Sequence, residues 1–241
     1  MKNILIPSTL QQDTLFSVKT AIDQAAGTKC VITLVLLNEA PDTESASYFL
    51  RKTKPLTTPA QMLVLNECRG AIDNSLNCVL EIHNQFGLTA PLLKNLLEYL
   101  ATTIIIIPAS YKQEGKKIHS YFLELLSNSK IPMLHLTPGC ELQELNKALF
   151  VERDETAVSL TELQQIINSQ FTFKIVGHAA VSAHYPEEPD PGVAEAISKN
   201  NIDLLIETRK NSKMGKKKKK AVINESLGLP VLSIYEDAIT A

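Results

Sequence analysis

The densest run of chemically capable residues is Arg209 to Lys220, where eight of twelve positions are basic. Two readings fit it: a solvated loop and helix face, or an anion site. The second draws on position, because the run follows an apolar strand and open α/β sheets bind ligands beyond the carboxyl ends of their strands. Lysines at a helix N-terminus oppose the macrodipole, and a phosphate would relieve that repulsion around Lys210, Lys213 and Lys216 to Lys220. Lys112, Lys116 and Lys117 form a smaller group of the same kind. Tyr111, Lys112 and His119 contain the parts of an acid–base set, but no spacing fixes their geometry and the residue types equally suit a surface. His178, His184, Glu187, Glu188 and Asp190 make a loose cluster of metal-ligating types. Its spacing matches no helical or hairpin ligand set, so an incidental role is expected. A G-x-S-x-G elbow, an H-E-x-x-H helix and a paired Cys/His set do not occur. The chain is therefore expected not to be an enzyme and to hold no metal.

The elements that position these residues follow from the apolar pattern. The 241 residues are 44% hydrophobic and 21% charged, which suits a globular protein of one large or two small domains. A formal charge of −2 predicts neither a nucleic-acid nor a membrane partner. Aromatics that would stack bases are not interleaved with the basic run. The four cysteines are scattered without a C-x-x-C pair, and residues 1–7 read as a strand rather than a signal peptide, so reduced thiols and a cytoplasmic location are expected. Short runs rich in Ile, Val and Leu predict strands near 2–7, 29–37, 78–83, 102–108 and 131–137. Few of them alternate with polar residues, which implies burial on both faces and a mainly parallel sheet. Leu92, Leu93, Leu96, Leu97 and Leu100 form a helical stripe, Thr89 and Asp13 are candidate caps, and 38–58 reads as a long surface loop before a helix at 59–76.

The chain also repeats itself. Ile104 to Ile107 matches Leu204 to Ile206, and Gly115-Lys116-Lys117 matches Gly215-Lys216-Lys217, both at an offset of 100. Ile131-Pro132-Met133-Leu134 matches Leu229-Pro230-Val231-Leu232 at 98, and Asn3 to Ile6 matches Ala148 to Val151 at 145. The second copy is thus shorter by about 45 residues between its first strand and its tail. Strands at 147–152, 171–177, 203–207 and 230–235 alternate with helices at 155–168, 191–200 and 215–227, the mark of a doubly wound fold. The domains expected are 1–138 and 147–241, joined by a linker at 139–146.

Lys2-Asn3-Ile4-Leu5-Ile6-Pro7, Asn201-Ile202-Asp203-Leu204-Leu205-Ile206 and the two Pro-hydrophobic-Leu strands resemble, in their order, the strands of the universal stress protein family in its tandem form. The resemblance implies two tandem, Rossmann-like parallel-sheet units of strand order 3-2-1-4-5, packed as a pseudo-dimer, with one strand and helix missing from the second. It leaves room for a homodimer as well. It implies a role in stress response or signalling through protein contacts. ATP-binding members of that family carry G-x2-G-x9-G-[ST] after the fourth strand, where glycines let backbone N–H groups approach phosphates. Here Ser110, Lys112, Gly115 and Lys116 occupy that loop, and His119-Ser120 falls at the final Gly-[Ser/Thr]. The second copy offers Arg209, Lys210, Lys213, Gly215 and Lys216, and the family's strand-one Asp corresponds to Thr9 and Asp154. The resemblance therefore implies a degenerate ATP site and no cofactor, the alternative being a nucleotide or other phosphate-bearing ligand at these loops.

Overall fold

Four isoleucines in a row can be buried only in the middle of a sheet covered on both faces, and Ile104 to Ile107 are at most 2% exposed. The computed structural model describes residues 1–39, 57–140, 144–153, 158–181, 191–210 and 227–239. It divides into two compact units, Met1–Ser129 and Lys130–Ala241.

The first unit runs β1 (Lys2–Pro7), α1 (Asp13–Ala25), β2 (Cys30–Asn38), α2 (Pro59–Asp73), β3 (Cys78–Phe86), α3 (Ala90–Tyr99), β4 (Ile104–Ile107), a one-turn α4 (Ala109–Lys112) and α5 (Lys117–Ser127). Its strands are parallel in the order β3-β2-β1-β4, the first four places of the expected 3-2-1-4-5. Two of the helices, α2 and α3, begin where a local side chain satisfies a free amide. Thr58 and Gln61 form a reciprocal capping box at α2, and the Thr89 hydroxyl accepts from the Leu92 amide at α3, with Pro91 in the first turn. Leu93, Leu96 and Leu97 carry the buried stripe of α3, while Leu92 remains 40% exposed at its rim. Asp13 does not cap α1: it is the first helical residue, and its carboxylate is taken by Ser110, 97 positions away.

The second unit holds β5 (Met133–His135), β6 (Lys147–Arg153), α6 (Leu160–Gln170), β7 (Lys174–Val181), α7 (Pro191–Asn200), β8 (Leu204–Arg209), β9 (Val231–Tyr235) and a closing 3₁₀ turn at Glu236–Ala238. β6 lies between β7 and β8, as β1 lies between β2 and β4, and β9 follows β8 in parallel. Among the described residues no strand takes the outer place that β3 holds in the first unit, and the central strands β6 and β8 are paired on both sides. β5 pairs antiparallel with β9, Leu134 opposite Leu232.

Strand register corrects the repeat by one residue. Ile4 pairs with Ile104 and Ala148 with Leu204, so the first strands are related by an offset of 144 rather than 145. An uninterrupted apolar run fits either value; backbone pairing decides. Two polar contacts also occupy matching places in the two units. The Thr103 hydroxyl accepts from the Asn3 amide at 3.2 Å, and the Asp203 carboxylate accepts from the Lys147 amide at 3.0 Å in the equivalent place. Two boundaries also move. Ser159 and Glu162 form a capping box that starts α6 at 160 instead of 155, and Phe171 and Phe173 stack at 5.0 Å before β7 begins at Lys174. The loop expected at 38–58 and the helix expected at 215–227 lie almost wholly outside the described residues. No helix among the described residues is long and apolar enough to cross a membrane.

The β6–β7 register slips beside Leu149, where Gly177 faces it. A Cβ on Gly177 would meet the Leu149 Cδ1 at 2.9 Å, and that leucine is wholly buried. Gly177→Ala is expected to destabilise the protein by about 1–3 kcal/mol through overpacking. Gly115→Ala, with nothing within 4 Å of its new methyl group, is the matched control. Urea unfolding of both variants checks this, and an unchanged midpoint for Gly177→Ala contradicts it.

Candidate functional site

At the carboxyl ends of β1 and β2 the first unit opens into a cleft of about 330 Å³. Its walls are Ser8 to Gln11 after β1, Leu36 to Asn38 ending β2, Thr57 and Gln61 at the start of α2, and Glu114, Lys116 and His119 before and within α5. This is where a doubly wound sheet collects its loops.

The floor is built from the turn after β1. The Ser8 hydroxyl shares a 2.8 Å hydrogen bond with Thr14 and accepts from the Leu10 amide at 2.8 Å. Leu10 sits at φ 59°, the left-handed region, which a bulky residue occupies only under constraint from its surroundings. Its side chain is nevertheless buried. Among the described residues the buried Thr9 hydroxyl has no hydrogen-bond partner, while the Thr9 carbonyl accepts from Gln61 Nε2 at 3.2 Å. Gln61 thus serves twice, closing the α2 capping box and holding the cleft floor.

The opposite wall comes from the loop after β4. Asp13 accepts the Ser110 amide at 2.8 Å and the Ser110 hydroxyl at 2.6 Å, which fixes the start of α4. Tyr111, next in sequence, is buried, and its hydroxyl pairs with His119 Nδ1 at 2.8 Å, the rings meeting edge-on at 5.0 Å. Burial, and then the Glu114 charge, pushes the Tyr111 phenol well above its ordinary range. Burial also holds His119 below its ordinary value, Glu114 opposing and Lys116 reinforcing that effect. His119 is therefore neutral near pH 7. Its Nδ1 is committed to Tyr111, while Nε2 has no hydrogen bond among the described residues.

The structure gathers three of the residues read from the sequence, Thr9, Lys116 and His119, into this cleft. Ser110 is turned to Asp13, Lys112 is half-buried, and Gly115 and Ser120 are exposed beside the cleft without lining it. Gly115 does not have the positive φ of a phosphate-cradling turn, and a Cβ there meets nothing. In the second unit Arg209 is buried. Its guanidinium donates to the Ser233 carbonyl at 3.2 Å and the Ile131 carbonyl at 2.5 Å and packs 6.0 Å from the Tyr235 ring. Desolvation lowers it to about 10. Lys210 reaches Glu236 at 3.7 Å. Asp154, Lys213, Gly215 and Lys216 lie outside the described residues, as do His184, Glu187, Glu188 and Asp190. His178 is paired with Glu152 at 2.8 Å and stacked on Phe150, and no metal-ligating cluster occurs among the described residues. Sequence reading missed Glu114, Asn38 and Gln61. Thr58-Pro59-Ala60-Gln61 carries a legible capping-box signal for Gln61, whereas Asn38 has none beyond the end of its strand.

No family model matches the chain, and no curated protein sequence does. Solved structures do match. A universal stress protein from Archaeoglobus fulgidus DSM 4304 aligns over 97% of this chain and 96% of its own with a TM-score of 0.57 at 12% identity. A protein of unknown function from Pseudomonas aeruginosa PAO1 aligns over 99% and 94% with a TM-score of 0.53 at 11% identity. These likenesses establish the fold.

His119 yields a sign-definite prediction. The folded state resists protonating it, so the unfolded chain takes up the proton first as pH falls below the ordinary histidine value of 6.5. Stability is full above that pH, declines as pH drops toward the depressed folded value, and levels beneath it. His119→Gln is expected to show a smaller loss of melting temperature than the parent between about pH 7.5 and 5.5. Equal losses contradict the assignment.

Proposed function

We propose, with the universal stress protein fold as premise, that this chain is a nonenzymatic stress or signalling module whose first unit binds a small phosphate-bearing ligand, such as a nucleotide. The observation carrying this reading is the convergence of the unpartnered Thr9 hydroxyl, the Lys116 ammonium and the open side of His119 on one cleft over a strained turn at Leu10. Buried polar atoms are ordinarily satisfied, and strain gathers where a ligand is met, so the two together mark a binding surface. Lys116 at the head of α5 favours an anion, and the Glu114 carboxylate accepts from hydroxyl groups such as those of a sugar. The cavity is at the small end of ligand pockets, which run from roughly 300 to 1,000 Å³. Its phosphate contacts rest on a lysine and a helix end rather than on a glycine-rich loop, so the family-type ATP arrangement is degenerate.

The nonenzymatic reading rests on the same residues. The cleft histidine spends one nitrogen on Tyr111, whose phenol burial keeps protonated, and among the described residues no serine hydroxyl or cysteine thiol is hydrogen-bonded to His119. Occupancy is then read out by contacts with other proteins, in the cytoplasm. The tandem organisation, with units 1–138 and 147–241 about a linker at 139–146, is part of this proposal.

Thermal-shift titration with ATP, ADP, AMP and inorganic phosphate tests it. A ligand at a hundred times its Kd stabilises by about 2.7 kcal/mol. A saturable shift is expected for at least one of the four, reduced in Lys116→Ala and Thr9→Val and retained when Lys216 to Lys220 are neutralised. A shift abolished only by that neutralisation transfers the site to the basic run. No shift with any of the four overturns ligand binding.

A further inference from the structure

Two of the four cysteines open neighbouring strands at the same level of the first unit's sheet. Cys30 begins β2, Cys78 begins β3, and the parallel register sets them directly opposite each other. Residues at one level of such a pair project from the same face, and neighbouring strands lie about 4.8 Å apart. That spacing falls inside the Cα separation a disulfide spans, roughly 4.4–6.8 Å. The two thiols are not cross-linked here and share a hydrogen bond. The strand ends that carry them are tied together. The Cys30 amide donates to the Asn77 carbonyl at 2.9 Å, and Asn77 Nδ2 donates to the Gly27 carbonyl at 2.6 Å. The pair is thereby held at one spacing.

The four thiols differ in what can reach them. Cys68 is wholly buried on α2, and Cys140 is buried against the Thr137 hydroxyl at 2.8 Å. Cys30 is 2% exposed, and burial, then Cys78, pushes its thiol up to about 12. Cys78 is half-buried, on a strand with no neighbour on its outer side among the described residues, and Leu76 and Val79 near it are exposed. We infer that Cys78 and Cys30 are an oxidation site for hydroperoxides, joined across the β2–β3 pair as a reversible disulfide. The Cys78 sulfur attacks the O–O bond of hydrogen peroxide and becomes a sulfenic acid, releasing one water. The Cys30 sulfur then displaces the sulfenic hydroxyl, and its own proton leaves with that hydroxyl as a second water. Two thiols and one hydrogen peroxide thus give one disulfide and two waters. Cys30 is a poor nucleophile toward a peroxide in solution, but proximity to the Cys78 sulfur replaces intrinsic reactivity. A dithiol reductant reverses the reaction by exchange. The bond closes the β2–α2–β3 crossover, which carries Asn38, Thr57 and Gln61 of the cleft, into a covalent ring.

Thiol counting on the full chain, denatured after brief exposure to sub-millimolar hydrogen peroxide, tests the site. The four free thiols are expected to fall to two, and dithiothreitol to restore all four. Trypsin is expected to release the peptides that begin at Cys30 and at Gly70 as one linked species, lighter than their sum by a pair of hydrogens. In Cys30→Ala the Cys78 sulfenic acid persists and is captured by dimedone. Cys78→Ser is expected to lose both the link and the adduct, and Cys68→Ser to keep the link. A thiol count unchanged by peroxide overturns the inference, as does a link that joins any other cysteines, within one chain or between two. The count and the linked peptides are read on the unaltered chain, so the outcome stands even where a variant fails to fold.

Discussion

The grip of the Asp13 carboxylate on the Ser110 amide and hydroxyl is the constraint on which the first unit's cleft depends. Asp13 opens the helix after β1, and Ser110 opens the one-turn helix after β4. Each oxygen of the carboxylate takes a separate proton, so both position and rotation of the loop after β4 are set. That loop carries Tyr111, Glu114, Lys116 and His119. Tyr111 then runs into the core and meets Phe122 edge-on at 6.4 Å, which makes the wall of the cleft continuous with the packed interior of α5. A cleft wall built this way inherits the rigidity of the core beneath it.

The sheet was legible in the sequence because its physics is local. Four isoleucines, or Lys2 to Pro7, need no distant information to read as a buried strand, and the repeat of strands and helices carried the winding with it. The boundaries that moved at α6 and β7 did so for equally local reasons, a capping box at Ser159 and a pair of stacked phenylalanines before β7. The candidate site was half legible. Thr9, Lys116 and His119 come from loops that the fold class itself nominates. Asp13 read as a cap because an acid before an apolar helix ordinarily is one; its partner, 97 residues away, can be found only once β1 and β4 are neighbours. Glu114 and Asn38 have the composition of any surface.

Arg209 shows the same limit from the other side. A basic residue at a strand's carboxyl end has the look of an anion ligand. Here its guanidinium instead collects the carbonyls of Ser233 and Ile131 inside its own unit. Buried arginines are tolerated where their donors are occupied, and this one sits against the Tyr235 ring as well. The charge that sequence composition assigned to a ligand is spent on holding strand ends together.

The double duty of Gln61 bears on how this protein can change over generations. Because the α2 capping box closes on Thr58 and the same side chain reaches the Thr9 carbonyl, the cleft is anchored downstream of the polar segment that joins β2 to α2. Thr58 and Gln61 thus fix the start of α2 and the turn after β1 through one set of contacts. A change at Gln61 is a change to the helix start and to the cleft floor at once, so the two evolve as one part.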